Sequence, residues 1–194
     1  MRNFIVVVGM VLFCSSCAVN QGILLEYTPE TREQIVSSNT ISVKVSDERP
    51  FIKDNSKPPS FIGKFRGSYG NPWNAYTEGK IPLAQVFAQD LIREIKALGL
   101  RMKELNSDRT IKVEIMDYNF DAAIDGRFWY EIKVSVLDMN NDVLKENMFK
   151  DVIEIKGSVW TGAMGAFKEK LPEIHRELIR KMIRENPQAK DALR

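Results

Sequence analysis

The chain has 194 residues, 44% of them hydrophobic and 28% charged, so it is long enough to bury one hydrophobic core. Its 28 basic and 26 acidic residues give a net charge of +2, a balance that argues against nucleic acid as a partner. One histidine and two cysteines are too few for a His-rich metal site, and we expect neither a metal nor a cofactor.

The first residues have the layout of a bacterial secretory signal. Arg2 is followed by an apolar run over residues 4–13, which is too short for a bilayer-spanning helix of about 20 residues. Two serines then precede Cys17, and this arrangement resembles the lipobox of bacterial lipoproteins, in which a peptidase cleaves before a lipid-carrying cysteine. We therefore predict a signal peptide over residues 1–16 and lipidation of Cys17.

Two neighbours of Cys17 refine this prediction. Cys14 stands where lipoprotein signals usually have Leu, and as the modified residue it fits less well because the bulky Phe13 would precede the cleaved bond. Cleavage before Cys17 leaves a mature chain without disulfides, held at the membrane by acyl chains such as palmitate. Ala18 follows, whereas an Asp there commonly retains lipoproteins at the inner membrane of enteric bacteria. We predict an outer-membrane location on the periplasmic face.

After the cysteine, residues 17–40 are predicted to form a lipidated tether that contains a possible short edge strand around Ile23. Residues 40–45 alternate apolar and polar side chains, as a half-buried strand does. This strand ends before Pro50, because proline cannot donate a hydrogen bond to a sheet.

Residues 51–80 show no periodicity and contain many glycines and prolines, which predicts a loop. Loops inside compact domains rarely exceed roughly 12 to 15 residues, so we expect this one to be either functional or disordered. Its aromatic rings are interleaved with lysines and arginines, a combination that concentrates at the centres of protein interfaces. The candidate partner-binding residues are Phe61, Phe65, Arg66, Tyr69, Trp73 and Tyr76.

Other interpretations of this aromatic segment stay open. The rings can stack on sugars or lie at a lipid headgroup surface, and they can also close one end of the core beneath a rigid loop. If the segment binds a partner, replacing Trp73, Phe65 and Arg66 with alanine should abolish capture and leave melting nearly unchanged. Early melting of that variant would favour the packing role.

The rest of the chain predicts two helices and three strands. Pro82 and Gly99 bound an amphipathic helix whose apolar stripe includes Phe87 and Ile95. Alternating runs over residues 110–120, 130–136 and 143–155 predict an antiparallel meander. A second amphipathic helix covers residues 160–182, and the polar tail at residues 186–194 is expected to fray.

These elements predict an α+β fold for residues 41–185. We expect a two-layer domain, with a mostly antiparallel sheet and both amphipathic helices on one face. An exported domain tolerates disulfides, so their absence means that packing alone stabilises the core.

Several short motifs together resemble the YajG-like outer-membrane lipoproteins of Gram-negative bacteria. They are the lipobox, Leu25-Glu26-Tyr27-Thr28-Pro29, the strand from Val43 to Asp47-Glu48-Arg49-Pro50, and the helix end Leu98-Gly99-Leu100. The resemblance covers most of the mature chain. It implies an envelope lipoprotein with no established enzyme activity, cofactor or catalytic residue.

Few residues suggest catalysis. His175 is the only histidine, and we place it off the apolar stripe as a solvated side chain, so we expect no catalytic triad. The pairs Asp47 with Glu48 and Asp121 with Asp125 offer acid/base cleavage of cell-wall glycan, although turns also favour Asp. We predict a lipid-anchored, non-catalytic adaptor that binds a periplasmic or outer-membrane partner. The alternative is a cell-wall glycan-binding protein or hydrolase.

Overall fold

The computed structural model describes residues 22–30, 34–66, 72–157 and 162–194. The predicted signal peptide and Cys17 lie outside the described residues, as do Tyr69 and Trp160. The strands are β1 (Gly22–Ile23), β2 (Thr40–Asp47), β3 (Phe61–Arg66), β4 (Pro72–Thr77), β5 (Arg101–Met102), β6 (Arg109–Ala122), β7 (Gly126–Asp138) and β8 (Val143–Ile155). The helices are α1 (Pro50–Lys53), α2 (Leu83–Ala97), α3 (Gly162–Met182) and α4 (Pro187–Leu193), with a 3-10 turn at Glu78–Lys80.

Strand β6 is the centre of the sheet. On one side it pairs antiparallel with β7, which pairs antiparallel with β8. On the other side its first half pairs with β2 and its last residues pair with β3, both in parallel. This is possible because β6 is 14 residues long, about 45 Å, and has room for two neighbours on one edge. Strand β5 extends the sheet beyond β2, while β4 and then β1 extend it beyond β3.

The α+β class predicted from the sequence is confirmed, but the simple antiparallel two-layer arrangement is wrong. Four of the seven described strand pairs are parallel, although the long ladders are antiparallel. The chain leaves β2, forms the β3–β4 hairpin and α2, and returns to add β6 in the same direction as β2. Such a crossover depends on long-range pairing, which alternation within a single strand does not reveal.

Helix α2 forms where the apolar stripe predicted it. Gly99 follows the last turn with a φ of 78°, a left-handed conformation that suits glycine and ends the helix. Phe87 and Ile95 are buried, as the stripe requires. They join Phe167 and Leu178 of α3 and the inward side chains of β6 and β7 in one core.

The predicted loop over residues 51–80 is wrong, because this segment holds α1, β3, β4 and the 3-10 turn. Strand β3 lacks alternation in its sequence because its register with β4 shifts between Phe61 and Gly63. Gly63 has a φ of 154°, and a Cβ there would lie 2.4 Å from Cδ1 of Phe120. The glycine that suggested a loop therefore lets a strand pass close to a core ring.

The expectation of a frayed polar tail is also wrong. The Asn186 side chain accepts a hydrogen bond from the Ala189 amide at 3.1 Å, which caps the start of α4. Ala189 and Leu193 are buried four residues apart, so one face of this short helix packs on the core.

The core assignment gives a stability prediction. Phe87→Ala or Ile95→Ala should lower the free energy of unfolding by about 2–5 kcal/mol, because each removes buried apolar contacts and leaves a cavity. Urea denaturation followed by circular dichroism measures the change. Leu105→Ala is the control, since Leu105 is exposed and should keep the wild-type midpoint. Equal midpoints for all three variants would contradict the packing described.

Candidate binding surface

Two of the six predicted partner-binding residues lie in the interior. Phe61 and Phe65 are buried, and the Phe65 ring centre lies 4.9 Å from that of Phe120 and 6.0 Å from that of Phe167. A partner contacts exposed groups, so these two rings do not fit the role predicted for them. Strand pairing buries them, and the sequence of an irregular strand did not show which side chains face inward.

The interleaving of rings and cations has a structural cause. The Lys57 ammonium lies 5.0 Å from the centre of the Phe61 ring, and the Lys80 ammonium lies 5.5 Å from that of Tyr76. Tyr76 itself packs edge-on against Phe61, with ring centres 6.5 Å apart. These cations therefore cover aromatic faces at this side of the sheet.

Arg66 and Trp73 are the candidates that remain exposed. Arg66 donates from Nε and Nη2 to the two carboxylate oxygens of Asp121, at 2.7 and 2.6 Å. Trp73 is 46% exposed and lies opposite Phe65 in the β3–β4 ladder. Tyr69 lies outside the described residues, so its predicted role stays a prediction.

The sequence did not reveal that Arg49 is fully buried. Its guanidinium donates to both carboxylate oxygens of Asp47, at 2.7 and 2.6 Å. It also donates to the carbonyl oxygens of Phe61 at 2.6 Å, Tyr118 at 3.1 Å and Pro59 at 3.3 Å. Arg49 thus joins the end of β2 to β3 and β6.

The prediction of a solvated His175 is wrong. The side chain is fully buried, its Nε2 lies 2.9 Å from Oδ2 of Asp90, and its Nδ1 lies 3.4 Å from the Tyr118 hydroxyl. His175 follows Leu171 by four residues and precedes Leu178 by three, which is the spacing of the apolar stripe of α3. Helical spacing was therefore the signal that could have located it.

Asp90, His175 and Tyr118 form a hydrogen-bonded series of an acid, a histidine and a hydroxyl, as in a catalytic triad, but the three side chains are buried. Burial raises the pKa of Tyr118 above its ordinary value, so its hydroxyl stays protonated. Arg93 donates to the second oxygen of Asp90 at 2.7 Å, which completes the partners of that carboxylate. The arrangement joins α2 to α3 and β6.

A second polar cluster lies one helical turn further along α2. The buried Glu94 carboxylate accepts hydrogen bonds from the Tyr27 hydroxyl and, at 2.6 Å, from Nε of Arg184. Burial, reinforced by the Glu94 carboxylate, raises the pKa of Tyr27 above its ordinary value. Asp90 and Glu94 were missed from the sequence because the apolar stripe of α2 was drawn from apolar residues alone.

The acidic pairs considered for glycan cleavage are engaged in other interactions. Lys53, which binds Glu48, lowers the pKa of that carboxyl, and Arg66 lowers the pKa of Asp121. A glycosidase acid needs the opposite shift, a pKa raised so that the group stays protonated. Asp125 accepts a hydrogen bond from the Gly157 amide at 3.0 Å, the backbone role common for Asp in turns.

A cleft of about 470 Å³ lies between the segment after β1 and α2. Tyr27, Asp90 and Arg93 are among its lining residues. As described above, Tyr27 binds Glu94 of α2, and Asp90 binds Arg93 and His175. Within the described ranges, no group of three or more His, Cys, Asp or Glu residues is arranged to hold a metal ion. No helix of that same part of the chain has the length and apolar character needed to span a membrane.

The outer margin of β8 carries several exposed apolar side chains, and we call residues 143–155 the β8 edge. Met148 is 53% exposed and Val152 is 59% exposed, and Val143 and Leu144 are exposed beside them. In the described residues β8 pairs with β7 alone, so its other side has no partner strand. The unpaired backbone groups of an edge strand can pair with a strand of another chain.

Comparison with known proteins identifies the fold but not the family. No family model matches the chain, and no curated protein matches it in sequence. The crystal structure of protein XCC0632 from Xanthomonas campestris, described by the family model DUF330, is similar with a TM-score of 0.53 and 16% identity, over 81% of this chain and 89% of that chain.

Two further solved structures are similar over most of the chain. A PelC dodecamer from Paraburkholderia phytofirmans has a TM-score of 0.41 and 11% identity, over 87% of this chain and 92% of that chain. Lipoprotein GNA1162 from Neisseria meningitidis has a TM-score of 0.32 and 14% identity, over 76% of this chain and 99% of that chain. The resemblance to YajG-like lipoproteins stays a prediction.

The Arg49 cluster gives a second stability prediction. Arg49→Met should lower the free energy of unfolding by about 3–5 kcal/mol, because it leaves Asp47 and three carbonyl oxygens without their donor. Arg66→Met is the matched control, since it breaks an exposed two-point pair with Asp121 and should hardly move the urea midpoint. Equal shifts in the two variants would show that Arg49 has no special structural role.

Burial of Phe65 also changes the expectation for the triple alanine variant of Trp73, Phe65 and Arg66. We expect early melting, because the variant removes a core ring as well as two exposed groups. The double variant Trp73→Ala with Arg66→Ala keeps Phe65 and should melt close to wild type in a thermal scan. Early melting of the double variant would instead place Trp73 among the residues that hold the core.

Proposed function

We propose that this chain is a lipid-anchored, non-catalytic accessory protein of the bacterial envelope that holds an envelope protein along the β8 edge. The observation that carries the proposal is the β8 edge itself, a strand margin with exposed apolar side chains and no second partner strand in the described residues. Lipidation, outer-membrane location and membership of the YajG-like lipoproteins belong to the same proposal.

The anchor is supported by the lipobox-like sequence before Cys17 and by the place where the domain begins. Strand β1 starts at Gly22, five residues after Cys17, and pairs with β4. Five residues span at most about 18 Å. A lipid on Cys17 would therefore hold the domain next to the membrane surface.

The non-catalytic assignment is supported by the way polar groups are used. The buried acids Asp90 and Glu94 bind His175 of α3 and Arg184 just after α3, and the buried Arg49 binds Asp47. Asp121 is neutralised by Arg66 and Lys64. A general acid or base needs a free, accessible group with a tuned pKa, and these groups are paired or buried.

A protein partner fits the β8 edge better than a small ligand. The edge is 13 residues long, and its unpaired backbone groups suit an added strand. Charged side chains, including Lys150 bound to Glu131, alternate with Met148 and Val152 along the outer face. A partner segment would thus gain backbone hydrogen bonds together with apolar contacts.

Site-specific photo-crosslinking in intact cells tests this surface. A crosslinker at Met148 or Val152 should capture the same envelope protein, identified by mass spectrometry, and one at the exposed Leu105 should not. Met148→Lys with Val152→Lys should abolish copurification of that protein and leave melting nearly unchanged, because both side chains are more than half exposed. Equal capture from Leu105, or none from the edge, would refute the assignment.

A separate variant series tests the anchor. Cys17→Ser should lose incorporation of labelled fatty acid and leave the membrane fraction, whereas the control Cys14→Ser should be labelled like wild type, because Cys14 is removed with the signal. Ala18→Asp should move the chain from the outer to the inner membrane in a sucrose gradient if the host follows the enteric sorting rule. Equal labelling of the two serine variants would contradict lipidation at Cys17.

A further inference from the structure

One end of the sheet, which we call the hairpin end, brings the β3–β4 hairpin next to the β6–β7 turn. A single row of paired residues runs across it, from Trp73 through Phe65 and Ala122 to Gly126 and Ile155. Strands β3, β6 and β8 finish at this row, and β4 and β7 begin there. Whatever faces this end therefore meets both hairpins at once.

Two exposed apolar side chains project at the hairpin end. Trp73 is 46% exposed on β4, and Ile124 is 78% exposed in the turn between β6 and β7. Because β3 separates β4 from β6, the strands that carry them are about 10 Å apart. Trp73 and Ile124 are therefore close enough for both side chains to contact the same flat surface.

The turn that carries Ile124 is held in place. The Asp125 carbonyl accepts a hydrogen bond from Ala123, and its side chain accepts one from Gly157, each at 3.0 Å. A Cβ at Gly157 would lie 2.0 Å from the Ile124 carbonyl oxygen, so the two segments pack backbone to backbone. Ile124 is thus exposed on a fixed turn.

The predicted lipid anchor is joined to the described chain within reach of this same end of the molecule. Strand β1 runs parallel to β4, with Gly22 opposite Tyr76, so both strands run away from the hairpin end. Trp73 precedes Tyr76 by three residues, about 10 Å along β4. Cys17 precedes Gly22 by five residues, at most about 18 Å. A bilayer that holds the acyl chains therefore lies within reach of Trp73.

The charges at the hairpin end also suit a lipid surface. Its described strand and turn residues carry four basic and three acidic side chains. The basic residues are Lys64, Arg66, Arg127 and Lys156, and the acidic residues are Asp121, Asp125 and Glu154. A small positive excess does not repel anionic headgroups and adds only weak attraction. The apolar groups must then supply most of the contact, and tryptophan is favoured at headgroup level because its ring is both apolar and a hydrogen-bond donor.

We propose that the hairpin end rests on the bilayer beside the acyl chains, with Trp73 and Ile124 at the headgroup level as a second, non-covalent membrane contact. This inference relies on the lipidation of Cys17 proposed above. A protein attached both by lipid and by apolar side chains is oriented as well as retained. The β8 edge would then run away from the membrane from Ile155 to Val143, about 40 Å.

Headgroup quenching in vesicles tests this orientation. The full acylated chain with Ile124→Cys, labelled with a fluorophore, is incorporated into vesicles of phosphatidylethanolamine and phosphatidylglycerol that contain a nitroxide-headgroup lipid. Met139→Cys is the matched control, since Met139 is 71% exposed in the β7–β8 turn at the opposite end of the sheet. Quenching should be several-fold stronger at position 124 than at position 139, and Trp73→Ala should reduce the quenching at position 124.

Three other results would each overturn the proposed bilayer contact, and they differ in what they say about the lipid anchor. Equal quenching at the two positions in vesicles that float with the chain would refute the bilayer contact and leave the anchor intact. A chain that does not float with the vesicles would refute the anchor, and with it this contact. A photo-crosslinker at Ile124 that captures one defined protein in cells, rather than lipid, would assign the hairpin end to a protein partner.

Discussion

The buried guanidinium of Arg49 is the interaction on which the arrangement of strands depends. It sits where β2 ends, and its donors reach Asp47 and the backbone carbonyls of Phe61 and Tyr118. A buried cation is costly unless its donors are satisfied, so the position of Arg49 favours the arrangement in which β3 and β6 reach this point. Strands β2 and β3 are both parallel neighbours of β6 along one of its edges, and Arg49 lies where the two strands come together.

The same use of charge joins the helices. Asp90 and Glu94 stand one turn apart on α2 and bind, respectively, His175 of α3 and Arg184, which follows the end of α3 by two residues, so α2 has a defined register against α3. These clusters hold α2 and α3 in one arrangement, and the described residues contain no cysteine that could form a disulfide. They also bear on the proposed function, because the polar groups of these two clusters hold the described elements together. The β8 edge and the hairpin end are the surfaces that we propose for interaction.

The sequence predicted the elements with strong local periodicity. Helix α2 and the meander of β6, β7 and β8 follow from apolar spacing, which depends on neighbours a few residues away. Periodicity did not predict β3, because a bulge at Gly63 removes the alternation of apolar and polar residues. It also did not predict the parallel pairing of β2 with β6, because these strands are far apart in the sequence. Of the candidate site, the exposed Trp73 and Arg66 could be predicted, whereas the burial of Phe61 and Phe65 depends on strand pairing. The inward position of His175 was available from helical spacing and was overlooked.

The central claim is that a folded, non-catalytic domain is held at the membrane by lipid on Cys17. Mass spectrometry of the N-terminal peptide, taken from chain purified out of the membrane fraction, tests it most directly. The account predicts a peptide that begins at Cys17 and carries the added mass of a diacylglyceryl group with its fatty acids. A peptide that still begins at Met1, or one that begins at Cys17 without lipid, would contradict it.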